Sequence, residues 1–562
     1  MWHRWNYAAS WGAGPTVEAN EPGTEVDARR GWSSLGTDST KERLAVLMAA
    51  GIPAQYRQIL GQPSQLFVPD QELDAAKRLV AEHGLALEEP NGRSDTGRPR
   101  QRLIPARQVS RAANSRFTVS GARLQVSAEP AAGLLDDVPD IKVRGATPAE
   151  LVTIRADATD ADDRMWTAEA CFRANNEGVV DLALDAPVEG PYERADPTGM
   201  FWSMRPVEGD MGWPIRSRLS VLLTARTGSD LSQCQVHRTY ARGLDNRRVE
   251  EDGLRGHFLA PKQAEGLPGV IFLGGDEGGI ALAPGAFLAS HGFAVLVLAY
   301  LNFPGLPNRG DTLAVDYLRA GLEWLINNAA VDPSRVSAVG FSRGAEGAML
   351  LGSVDRRVSS VAAVNGMTVL VANSTNRAPW SLDGRPLPYI KRGWRMRWRH
   401  SAEIAKSAGT TGTFGQSILT EGLLDDEKQR DRAGIRVEQI GGPVLLITGS
   451  DDKMLPSAAM AEYAIGRLRS AEHPYADVHL DLPNAGHNIG LPMLPVLTTV
   501  RRHAIDPEGK RLASRLGVSM PDLLQQPGGT PEGNAVASRE AWKTMIEFLT
   551  GRSSSETTSA ST

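Results

Sequence analysis

The chain has 562 residues, roughly three to four times the usual domain length, so at least two domains and more naturally three are expected. A hydrophobic fraction of 41% and a charged fraction of 23% are globular values, and a net charge of −5 gives no reason to expect a nucleic-acid partner. Two cysteines, Cys171 and Cys234, exclude a disulfide framework and a cysteine metal site, which fits a reducing compartment. No apolar run of the secretory type follows Met1–Trp5, and the longest apolar stretch, around 293–300, is too short to span a bilayer. The expectation is a cytoplasmic protein with no membrane partner.

Residues 1–90 read as a small α+β module. Helical spacing falls at 40–50 and 71–83, and short strands at 54–57 and 66–68. Residues 91–116 carry seven arginines and one acidic residue among Gly, Pro and Ser without apolar periodicity, which predicts a solvated linker extending to about 121. Contact with an anionic partner is the competing reading of that charge. From about 122 to 245 short alternating segments, at 151–156, 165–172 and 179–184, suggest an antiparallel β-sandwich.

From 246 to 552 apolar strands alternate with amphipathic helices, the mark of an α/β parallel sheet. Strands are predicted at 270–273, 294–299, 336–340, 358–364, 444–448 and 478–482, and helices at 311–328, 345–352, 457–471 and 537–549. The interval 366–441 is too long for a simple crossover and predicts a helical cap over the C-terminal edge of the sheet. The Ser/Thr-rich tail 553–562 should be disordered.

Gly340-Phe341-Ser342-Arg343-Gly344 matches the nucleophile elbow Gly-x-Ser-x-Gly, whose glycines permit the tight strand-to-helix turn that lifts a serine hydroxyl out of a sheet. The pentapeptide follows a β-rich run and opens a helix, as that motif requires. Asp451-Asp452 follow the strand at 444–448, and Gly486-His487 follow the strand at 478–482. The chain order Ser, Asp, His is that of the α/β-hydrolases. The predicted triad is therefore Ser342, Asp452 and His487. Asp452 is preferred because the spacer after Gly449 lets the loop turn first, leaving Asp451 as a turn or N-cap residue. His291, His473 and His479 read as partly buried or surface residues. The oxyanion hole should use the backbone N–H of Arg343 and one from the loop 274–279, with Asp276 as the second donor. Asp276 and Glu277 have no His or Cys beside them, so neither a metal nor a cofactor is expected. In the cap, residues 391–399 hold five cations and two tryptophans. Arg395, Arg397 and Arg399 could receive a phosphorylated, purine-bearing ligand, or simply form a solvated surface.

These motifs resemble the acyl-CoA thioesterase and bile acid-CoA:amino acid N-acyltransferase family. The resemblance rests on Ser290-His291-Gly292-Phe293-Ala294-Val295, on Gly340 to Glu346, and on Ala485-Gly486-His487-Asn488-Ile489 with Leu491-Pro492. It extends to Val143-Arg144-Gly145, to Asp196-Pro197-Thr198-Gly199-Met200-Phe201-Trp202, and to Ala541-Trp542-Lys543 near the end, covering roughly 120–550. The sequence departs from the pattern at Met454-Leu455 and at Asp276-Glu277. The resemblance implies an acyl-CoA substrate and a covalent acyl-enzyme. It associates serine with the thioesterases and cysteine with amide-forming members, so Ser342 favours hydrolysis. The alternatives are an amino acid N-acyltransferase and a carboxylesterase or peptidase.

Overall fold

The computed structural model describes residues 32–34, 55–57, 65–69, 78, 124–161, 163–207, 218–228, 230–392, 413–414, 425–496, 500–502, 523–525 and 527–551. The chain forms two compact units, one of residues 15–115 and one comprising the rest. In the first, Gln65–Pro69 pairs antiparallel with both Trp32–Ser34 and Gln55–Arg57. The helices expected at 40–50 and 71–83 lie, Arg78 apart, outside the described residues, as do the arginine-rich stretch and the tail beyond 551.

The larger unit begins with two small sheets. Leu151–Thr159, Met165–Arg173, Arg218–Thr227 and Asp230–Thr239 pair antiparallel within a six-stranded sheet. Alternation turns Val152, Ile154 and Ala156 inward from the first of these, as expected of a sheet with one covered face. Gln125–Glu129, Asp140–Arg144 and Val180–Asp181 form a three-stranded sheet, and its Val126, Ile141 and Val143 join the same core.

An eight-stranded sheet follows, built from β1 (Leu244–Val249), β2 (Gly256–Pro261), β3 (Leu267–Leu273), β4 (Ala294–Leu298), β5 (Val331–Phe341), β6 (Val358–Val364), β7 (Val444–Gly449) and β8 (Val478–Leu482). Its order is β1-β2-β4-β3-β5-β6-β7-β8. β3 to β8 are parallel to their neighbours, but β1 pairs antiparallel with β2, and β2 with β4. The sheet is thus mixed, not wholly parallel as the sequence suggested. β1 escaped detection because Asp245, Asn246, Arg247 and Arg248 are exposed along an edge strand and carry no apolar signal.

Both faces of the sheet are covered, which is why its central strands read as continuous apolar runs. Val270, Phe272, Val295 and Val297 face helices α1 (Leu282–Ser290) and α5 (Pro531–Thr550). Ile271, Leu273, Leu296 and Leu298 face α2 (Val315–Ile326), α3 (Arg343–Val354) and α4 (Ser457–Ser470). The first face is continuous with the core of the two small sheets. α5 opens with Thr530 accepting from the Gly533 N–H and has Pro531 in its first turn, a good N-terminal signal. It closes at Gly551, whose φ of 70° is left-handed.

Trp542 on α5 packs against Phe287 and Phe341 and donates its indole N–H to the Gly490 carbonyl at 2.8 Å. It is 1% exposed. Trp542→Ala should therefore cost about 3–5 kcal/mol of stability. Urea unfolding would show this as a lower midpoint at unchanged slope.

Between β6 and β7, the described part of the expected helical cap is largely irregular. Trp380–Leu382 pairs with Leu313–Ala314 and with Arg385–Pro386. One seven-residue helix, Glu427–Ala433, starts at Asp426, whose carboxylate accepts from the Gln429 N–H. The irregular course has local causes. Asn373 Oδ1 takes the N–H groups of Thr375 and Arg377 and so competes with helix formation. No helix among the described residues is long and apolar enough to cross a membrane.

Candidate active site

The C-terminal ends of β5, β7 and β8 deliver three side chains to one place. Ser342 follows β5 directly, with φ 52° and ψ −114°, and precedes α3. Its N–H donates to the Val364 carbonyl at 2.8 Å. A left-handed φ on a non-glycine residue is strained, and such strain persists only where the surroundings enforce it. Here the two glycines do so. A Cβ on Gly340 would lie 2.0 Å from the Gly344 carbonyl oxygen, and one on Gly344 would lie 2.3 Å from that of Leu273. These contacts involve backbone that cannot move aside. Gly344→Ala should therefore open the elbow, with thermal melting and turnover falling together. A melting point within a degree or two of the parent would contradict this reading.

Ser342 Oγ lies 3.0 Å from His487 Nε2, and His487 Nδ1 lies 2.8 Å from Asp452 Oδ2. The carboxylate can only accept, so Nδ1 carries the proton, and Ser342 Oγ–H donates to the bare Nε2. Asp452 is almost wholly buried. Its Oδ1 accepts from the N–H groups of Met454 and Leu455 at 2.8 and 3.0 Å, and its Oδ2 also accepts from Ser457 Oγ at 2.8 Å. Asp451 points elsewhere: it accepts from the Gly529 N–H at 2.9 Å and pairs with Lys453. Burial opposes the charge on Asp451, but these two donors prevail and hold its carboxyl below the usual range.

His291, His473 and His479 make their contacts away from Ser342. His291 contacts the Phe287 carbonyl and Asp136, and His473 contacts Asp477 and the Ile440 carbonyl. His479 is bonded to Thr448 Oγ1. Cys234 is no rival nucleophile, since burial, with a smaller contribution from Glu129, pushes its thiol up to about 12. Among the described residues no group of three or more His, Cys, Asp or Glu is placed to hold a metal ion.

The loop after β3 comes close to the serine, because a Cβ on Gly275 would lie 3.8 Å from Ser342 Cβ. The Arg343 N–H is in the first turn of α3 and has no acceptor within that helix. Asp276, on the same loop, turns its carboxylate toward the guanidinium groups of Arg309 and Arg343. Arg395, Arg397 and Arg399 lie outside the described residues.

Several residues that sequence reasoning missed tie these loops together. Asn365, directly after β6, donates from Nδ2 to the Gly486 and His487 carbonyls at 3.2 and 2.8 Å. Its Oδ1 accepts from the Gly449 N–H at 2.8 Å. One buried amide thus spans the histidine loop and the root of the aspartate loop. Pro527 accepts from the N–H groups of His487 and Lys453 at 2.8 and 3.2 Å. Asn534 on α5 accepts from the Gly486 N–H at 2.8 Å.

A mixed sheet of this order, with its serine on the sharp turn after the fifth strand, is the architecture of the α/β-hydrolases. Residues 313–554 match the family model described as BAAT / Acyl-CoA thioester hydrolase C terminal, and residues 136–251 match the corresponding N-terminal region. Human bile acid-CoA:amino acid N-acyltransferase is 28% identical over 446 residues, which are 76% of this chain and 97% of that protein. Human acyl-coenzyme A thioesterase 1 is 26% identical over 433 residues, 75% of this chain and 95% of that protein. Among solved structures, a dienelactone hydrolase-like promiscuous phosphotriesterase from metagenomic libraries aligns with a TM-score of 0.31 and 18% identity, over 55% of this chain and 99% of that one. The chain belongs to the acyl-CoA thioester hydrolase/BAAT family.

Proposed function

We propose that this protein hydrolyses acyl-CoA to a free carboxylic acid and CoA through an acyl-enzyme on Ser342. The observation that carries the reading is the unbroken hydrogen-bond chain from Ser342 through His487 to Asp452. Ser342 Oγ attacks the thioester carbon while its proton passes to His487 Nε2, and the carbonyl oxygen becomes an oxyanion. The N–H groups of Arg343 and Asp276 serve that oxyanion. Collapse breaks the C–S bond, and His487 returns the proton to the departing CoA sulfur. Water then gives a proton to His487 and attacks the ester carbon. The acid leaves as the proton returns to Ser342 Oγ. Asp452 fixes the imidazole tautomer and stabilises the imidazolium.

In this reading the two small sheets form the family's N-terminal β-sandwich. Residues 1–90 are a separate module, 91–121 its linker, and 246–552 the catalytic domain. Arg395, Arg397 and Arg399 are proposed to attract the phosphates of CoA. The test is thiol release over short, medium, long and branched acyl-CoAs, with glycine or taurine supplied and the products identified by mass spectrometry. Free acid as nearly the sole product is expected. Abundant N-acyl product would make the protein an N-acyltransferase, and turnover of simple esters alone would make it a carboxylesterase.

A further inference from the structure

Behind the serine, six residues close a ring that joins the loop after β3 to the start of α3. Tyr300 donates its hydroxyl to the Gly274 carbonyl at 2.7 Å. The Tyr300 ring stacks on Trp380, with centroids 5.9 Å apart and planes at 19°. Trp380 Nε1 donates to Glu346 Oε2 at 2.9 Å, and Arg343 donates from a terminal nitrogen to the same oxygen at 2.7 Å. Arg343 Nε then lies 3.6 Å from Asp276 Oδ1, two residues from Gly274, where the circuit began. Tyr300, Trp380 and Glu346 are all at most 4% exposed. The ring draws on four separated parts of the chain: the β3 loop, the end of β4, the first turn of α3 and the segment between β6 and β7.

We infer that Glu346 is a positioning residue for the oxyanion hole: through Arg343 and the Trp380–Tyr300 stack it sets the distance between the two backbone donors. This rests on the acyl-enzyme reading above. Two physical arguments support it. A buried ion pair is a poor stabiliser, because desolvation of the charges offsets most of their attraction. Burial indeed pushes the Glu346 carboxyl up against the pull of Arg343 and Trp380. The pair is therefore better read as fixing positions than as stabilising the fold. Moreover, the ring ends on Asp276 and Arg343 themselves, the residues whose N–H groups are assigned to the oxyanion. Preorganised donors of this kind carry factors of about 10²–10³ in turnover each, so a small displacement of one is costly.

The test compares Glu346→Gln, Tyr300→Phe and the double variant with the parent on a p-nitrophenyl ester, which involves no CoA. Ser342→Ala serves as the blank. Binding is measured for a trifluoromethyl ketone, which adds to serine as an oxyanion, and for its carbinol, which cannot. Glu346→Gln is expected to lower kcat/KM by about 10- to 100-fold, at most the low end of what removing an oxyanion donor outright costs, because the donor is displaced and not deleted. Ketone affinity should fall by the same factor, and carbinol affinity should stay within about twofold. The double variant should lose less than the product of the single losses, as expected of members of one network.

Folded variants that keep kcat/KM within threefold of the parent would overturn the inference. So would an equal weakening of ketone and carbinol, which would mean a general distortion of the pocket. Should Glu346→Gln fail to fold, Tyr300→Phe removes a single hydroxyl and decides the question by the same three measurements. If the ester and ketone behave as expected but acyl-CoA is not turned over, the ring stands and the substrate assignment alone fails.

Discussion

Ser342→Ala is expected to abolish CoA release while leaving the fold intact. The substitution removes only the hydroxyl from a position whose backbone is held by Val364 and by the flanking glycines. Triads act as units, and removing the nucleophile or the base costs about a million-fold in turnover. His487→Ala should be comparably severe, because it removes the nitrogen that accepts the Ser342 Oγ–H. Thiol release by purified protein, with near-parental melting as the control for folding, checks both. Retention of most activity in Ser342→Ala would mean that the thioester is attacked by some other group.

The second large effect separates two adjacent aspartates. Asp452→Asn should lower turnover by about 10⁴-fold, the loss that follows when the acid partner of such a histidine becomes an amide. The amide can donate to Nδ1, which favours the tautomer whose Nε2 carries the proton and cannot accept one from Ser342. Asp451→Asn should instead weaken the hold on Gly529 and Lys453. That should lower stability by about 0.5–1.5 kcal/mol with only a small change in kcat. Steady-state rates and melting curves on the same two preparations distinguish the cases. The reverse ranking of kcat would move the acid to Asp451.

What could be read in advance follows from how local each signal is. β6 and β8 begin and end where the apolar pattern does, because both strands are bounded by polar turns. The elbow was legible since strand, glycines, serine and helix are consecutive. β1 was not, for its residues answer to solvent on an edge. α1 was also missed: Pro284 and Gly285 lie within it, and seven of its nine residues are buried, so it lacks a polar face. Asn365 has no local signature at all. Its partners lie 84 and 122 residues away in the chain, so only the folded sheet gathers them. The same holds for the ring through Tyr300, Trp380 and Glu346. Every member looks like ordinary core or helix surface until the β3 loop is placed beside α3.

The most direct test of the acyl-enzyme is rapid acid quenching with excess acyl-CoA, followed by proteolysis and mass mapping. Parent and Ser342→Ala proteins are compared side by side, and released CoA is counted in the same samples. A mass increase equal to the acyl group replacing one hydrogen is predicted on the peptide containing Ser342, with CoA released in step. Ser342→Ala should show neither. An adduct on another side chain, or undiminished CoA release from Ser342→Ala, would contradict the mechanism.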